Sequence, residues 1–181
     1  MKLYKLTDQD MRTHGGYQWS LGVWHKTSGW GDLCGPGWLH AYADPLVALF
    51  LNPIHTNIPN PRLFEAEGDG AFRDDNGLKC GVTRLRLTEE LPVPTVTIEQ
   101  RVRFAIGCAL TVYTEPSFVA WANGWLSGSD RTAVSSQAEA AEEAVRASAW
   151  VAREAMWESE AVAVDLPAIA AWAMTDAPWP Q

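Results

Sequence analysis

Six side chains have the types to hold a planar, charged ligand: Trp24, His25, Trp38, His40, Tyr42 and Arg84. Indole and phenol rings stack on a base, a nicotinamide or a peptide ring, imidazoles exchange hydrogen bonds, and a guanidinium meets phosphate. On alternating strands some of these rings, together with Tyr17, Trp19 and Trp30, share a face with His40 and wall a cleft. The same rings also suit the core of a small sheet domain, the reading preferred for Trp19 and Trp38. For His25, His40 and Tyr42 cleft and core stand level, because their polar ends need partners in either place.

Other chemistries find less support. His14, His25, His40, His55, Cys34 and Cys80 lack the tight two-residue spacings of a zinc site, so no metal is expected. Cys34 and His40 lie too loosely to mark a nucleophile and its base. Gly68-Asp69-Gly70 is followed by neither a helix pattern nor Lys-Ser/Thr, and reads as a turn rather than a phosphate loop. Glu65 and Glu67 share a strand face, as do Arg84 and Arg86. If those strands are neighbours through Asp74-Asp75-Asn76-Gly77, cross-strand ion pairs account for all four.

The elements that must position these residues fall into two textures. Residues 1–94 hold most of the glycine, with short alternating runs predicting strands over Met1–Leu6, Tyr17–Val23, Trp38–Tyr42, Arg62–Glu67 and Gly81–Leu87. Asp44-Pro45 caps a short helix that Asn52-Pro53 should stop. Residues 95–181 read as helix: a capping box at Thr97-x-x-Gln100, a helix after Pro116 with Trp121 and Trp125 facing inward, an alanine-rich helix over about 133–158, and a last short helix capped by Asp165. The expected fold is α+β, a small mostly antiparallel sheet domain followed by a helical region packed on it.

Charge and composition narrow the function. Fourteen basic and 22 acidic residues give a net charge of −8, which opposes non-specific attraction to nucleic acid. The acidity concentrates in the helical half, where Glu139, Glu142, Glu143, Trp150 and Trp157 form a candidate partner-binding surface, and the small-residue stripe of the same helix would permit homo-oligomers. No apolar run reaches the ~20 residues of a membrane span and no signal-peptide core is seen, so a cytoplasmic protein with reduced thiols is expected.

The block Cys34-Gly-Pro-Gly-Trp-Leu-His-Ala-Tyr-Ala-Asp-Pro-Leu46, the strand Arg62-Leu-Phe-Glu-Ala-Glu-Gly68 and the basic strand Lys79–Leu91 follow in a fixed order. Over about residues 1–94 this order resembles a family of small bacteriophage and bacterial proteins of unknown function. Met1–Met11 and Asp130-Arg-Thr132 look like its phage branch. The resemblance implies a phage or prophage origin and no established activity. Gly37-Trp38-Leu39-His40 before the Asp44 helix is also similar in layout to the nicotinamide-packing strand of ADP-ribosyltransferases, although Leu3-Tyr4-Lys5-Leu6 lacks their His-Gly or Arg-Gly.

The leading expectation is a non-enzymatic accessory protein that needs no cofactor and has no catalytic set. It would bind and block a host component in the host cytoplasm, either sequestering a nucleotide-like signal or occupying a defence protein. An NAD-consuming enzyme using His40 with Glu65 or Glu67, and an assembly protein oligomerising through its helical half, are the alternatives.

Overall fold

The computed structural model describes residues 1–129 and 164–180. The chain divides into two compact units, Met1–Thr95 and Val96–Gln181. Strands come first and helices later, an α+β fold.

In the first unit β1 (Lys2–Thr7) pairs antiparallel with β6 (Arg62–Asp74), and β6 with β7 (Cys80–Leu91). Along its other edge β7 bonds two short strands in succession, β5 (Leu39–Ala41) and β4 (Trp24–Lys26). The sheet then closes on itself: just past β5, Tyr42 exchanges backbone hydrogen bonds of 2.8 and 2.9 Å with Tyr4 of β1. Closure removes the free edge that β1 would otherwise present. Leu3, Leu39, Ala41, Phe64, Ala66, Cys80, Val82, Leu85 and Leu87 form one buried cluster within this ring of strands, with Trp19 among them.

A separate two-stranded ribbon, β2 (Arg12–Thr13) and β3 (Tyr17–Gln18), joined by the 3-10 turn His14–Gly16, carries Trp19 to that core. The expected strand over Tyr17–Val23 is therefore mostly absent. After Gln18 the chain turns, with Val23 N–H donating to Ser20 O and Gly22 N–H to Leu87 O, and re-enters the sheet at Trp24.

Helix α1 (Pro45–His55) starts where expected, Asp44 Oδ1 accepting from the N–H groups of Leu46 and Val47. It does not stop at Asn52-Pro53. Buried Asn52 closes the end from within: its amide accepts from Thr56 Oγ1 and Ile58 N and donates to Ile58 O, while its carbonyl accepts from Thr56 and Asn57. Pro53 sits in the final turns, where tertiary contacts outweigh its missing donor.

The expected turn at Gly68-Asp69-Gly70 is likewise replaced. β6 runs through it, with a register shift between Asp69 and Phe72. Gly70 takes φ +83°, and a Cβ there would lie 2.3 Å from Thr83 Oγ1, so the bulge needs glycine. The reversal falls at residues 75–79, where the sequence placed the strand connection.

In the second unit α2 (Ile98–Leu110) opens with the complete Thr97–Gln100 capping box, and α3 (Pro116–Leu126) buries Ala122 and Trp125 against Val102 and Ile106 of α2. Trp121, expected to face inward, is 40% exposed. Helix α4 (Leu166–Ala173), capped by Asp165, packs on α2. There Trp172 receives the Arg103 guanidinium at 4.2 Å and meets Trp179 edge-on. The alanine-rich helix expected over about 133–158, with Glu139, Glu142, Glu143, Trp150 and Trp157, falls outside the described residues.

Candidate functional site

The six sequence candidates do not converge on one cleft; closure of the sheet separates them into three environments. Trp38 is 5% exposed, its indole N–H donating to Gly31 O and its ring receiving Arg73 at 5.1 Å. Tyr42 is buried against α1, where its hydroxyl meets His55 Nδ1 at 3.0 Å, and burial drives its phenol well above the ordinary range. Both stand as core residues.

His40 is half-buried on β5. Its Nε2 is hydrogen-bonded to Leu33 O, and burial lowers its pKa, opposed by that carbonyl and aided by Lys5, Lys79 and His14. The imidazole is thus held neutral and already partnered. Glu65 and Glu67, which the enzymatic alternative would pair with it, are engaged by Lys2 and Arg86.

The third environment is exposed. Register places Lys2, Glu67, Arg86 and Trp24 on one cross-strand row, and Asp69, Arg84 and Lys26 on the next row of the same face. Leu85 and Leu87 alternate with these arginines and are fully buried, so this row faces away from the core. The guanidinium carbons of Arg84 and Arg86 lie 4.7 and 4.8 Å from the Trp24 ring centroid. Arg86 pairs with Glu67 as the cross-strand argument expected, whereas Arg84 pairs with Asp69 and Glu65 with Lys2 of β1. Each guanidinium also keeps an Nε that is out of solvent and without a partner. Trp24 remains half-buried, an indole laid over two neutralised arginines.

His25, the neighbour of Trp24, points the other way, in register with Leu85. Its Nδ1 meets Tyr17 Oη at 3.0 Å, its ring packs 4.5 Å from Trp19, and desolvation lowers its pKa. It therefore belongs to the cover over the core, not to the Trp24 surface.

Trp30, expected among the rings that wall a cleft, stands in solvent instead, and Lys5 escaped the sequence reading. Trp30 is 85% exposed, on a loop whose backbone is fixed by Gly29 N–H to Gly37 O and by Arg73 to Gly31 O. A Cβ on Gly37 would lie 2.0 Å from Trp30 O, so glycine is required for this close approach. Lys5 is 8% exposed, donates to His40 O at 2.5 Å, lies 5.0 Å from the Trp19 ring and has no carboxylate partner among the described residues. Burial pushes its pKa down to about 8. Alternation on β1 places Lys5 on the face of Leu3, the one sign of its burial that the sequence carries.

Among the described residues no group of three or more His, Cys, Asp or Glu side chains is placed to hold a metal ion, and no helix is long and apolar enough to cross a membrane. Cys34, Cys80 and Cys108 are free thiols; burial first, with Asp74 adding, pushes Cys80 up to about 12.

Residues 1–99 match a domain of unknown function (DUF7666), and the chain belongs to that family. The match spans the whole closed sheet and reaches the first residues of α2. No curated protein and no solved structure matches.

Proposed function

We propose that this member of the DUF7666 family is a non-enzymatic binding protein of phage type that blocks a host component in the host cytoplasm, by holding a nucleotide-like signal or by occupying a defence protein. The observation that carries the reading is the Trp24 indole lying over Arg84 and Arg86 on the outer face of the sheet. A planar ring gains stacking energy on such an indole, on the order of 1–3 kcal/mol per base. Because Asp69 and Glu67 already neutralise the two arginines, an anionic group must compete with them. Binding there selects for an aromatic ring first and for phosphate second.

Native mass spectrometry of the protein purified from phage-infected cells tests this. A retained nucleotide-sized mass that Trp24→Ala with Arg84→Gln removes, while circular dichroism stays unchanged, supports the sequestering form. A retained host protein lost on charge reversal at Glu139, Glu142 and Glu143 supports the other form. A chain that carries neither removes the proposal.

A further inference from the structure

We propose that Asn76 is a self-modifying residue: the Gly77 backbone nitrogen attacks its side-chain amide with Asp74 as the base, and the β6–β7 hairpin then carries aspartate or isoaspartate in its place. The inference shares no residue with the ligand-binding reading.

The chain holds two Asn-Gly pairs, Asn76-Gly77 and Asn123-Gly124, and the fold treats them differently. Both asparagines are exposed. Asn123 lies inside α3, where Gly124 N–H belongs to the helical ladder and Asn123 O accepts from Ser127 N–H at 3.0 Å. That nitrogen is committed along the helix axis. Asn76 instead sits in the turn that reverses β6 into β7, where Asn76 and Gly77 take φ +50° and +78° and Leu78 N–H donates to Asp75 O at 2.9 Å. Positive φ at both central positions marks a type I′ turn, which Asn-Gly fills readily. The turn makes no use of Gly77 N–H, which donates to Asp74 Oδ2 at 2.9 Å.

A base, a nitrogen and an electrophilic carbon therefore follow one another within four residues. A general base must stand within about 2.6–3.2 Å of the atom it deprotonates, and the Asp74 carboxylate does. Glycine brings no side chain to obstruct the approach, and attack on the preceding residue is intramolecular.

The chemistry needs no reactant but water. Asp74 Oδ2 takes the Gly77 N–H proton as the nitrogen bonds to Asn76 Cγ, and the proton passes to the amide nitrogen, which leaves as ammonia. The product is a five-membered succinimide. Water then opens it at one carbonyl to give aspartate, or at the other to give isoaspartate, whose main chain runs through the former side chain. Either product adds a negative charge to a tip that already carries Asp74 and Asp75, and isoaspartate lengthens a two-residue turn just before Leu78, which is 1% exposed.

The test incubates the full chain at neutral pH and follows both Asn-Gly pairs by peptide mapping, in the wild type and in Asp74→Ser, whose hydroxyl keeps an acceptor for Gly77 N–H but is no base. Asn76 is expected to convert at least ~10-fold faster than Asn123, and Asp74→Ser to slow Asn76 by ~10-fold or more with Asn123 unchanged. In denaturant the two pairs should converge, since the turn and the helix are both lost. Equal rates at Asn76 and Asn123 in the folded wild-type chain overturn the proposal, and that comparison needs no variant to fold. An Asp74→Ser chain that converts Asn76 as fast as the wild type, or faster, also overturns it, because Asp74 would then restrain the nitrogen rather than activate it.

Discussion

Lys5 also makes a thermodynamic statement about the folded chain. Its pKa falls from 10.5 to about 8 on folding, chiefly by burial. Below pH 8 both folded and unfolded chains hold the proton, and the folded state bears the full cost of the buried charge. Between pH 8 and 10.5 the unfolded chain binds more protons, so this group makes stability rise with pH. Cys80, Cys108 and Tyr42, which burial holds protonated in the folded chain, act in the opposite sense above about pH 9, because the unfolded chain loses those protons first, so the Lys5 contribution is read as a difference between wild type and variant. Replacing the charge by Lys5→Met should raise stability at pH 7 by about 1–2 kcal/mol, less than the full charge cost because His40 O loses its donor. That advantage over the wild type should shrink between pH 8 and 10.5, as the wild-type folded chain sheds the Lys5 proton; thermal melts of both chains at stepped pH check both.

At the scale of elements, the departures from expectation share a cause: a side chain or a glycine satisfies the backbone where local propensity alone predicts a break. Asn52 is the plainest case. Its three side-chain hydrogen bonds hold residues 56–58 behind α1 and let Pro53 remain helical. Asn52→Ala should destabilise the chain by about 2–4 kcal/mol, since it strands buried donors and acceptors. Denaturant titration measures this, and a loss below about 0.5 kcal/mol would show that the bonds do not hold the turn. Gly70 acts similarly in β6: the bulge absorbs the residues that otherwise read as a turn, and leaves Asp69 in register with Arg84.

At the scale of the molecule, the family match over residues 1–99 covers the closed sheet and its core. β1 is bonded back to Tyr42 just past β5, and the apolar cluster is filled from the sheet's own strands and Trp19. A chain ending at residue 99 should therefore unfold cooperatively and retain the Trp24 surface. A broad, non-cooperative melt of that fragment would mean that the sheet depends on the helical unit.

The sequence by itself determined the fold class, most strand positions and the helix starts, because alternation, Asp44-Pro45, the Thr97–Gln100 box and Asp165 act through neighbours a few residues away. It also anticipated ion pairing between the β6 and β7 side chains. It did not determine which aromatics face outward. Only tertiary structure decided that Trp38 and Tyr42 fill the interior while Trp24 and Trp30 stay accessible, and that a lysine lies uncompensated in the core. The reason is physical: an indole or a lysine has the same local preferences on either face of a strand, and its environment is set by how the sheet closes, through contacts such as Tyr4 with Tyr42 that are distant along the chain.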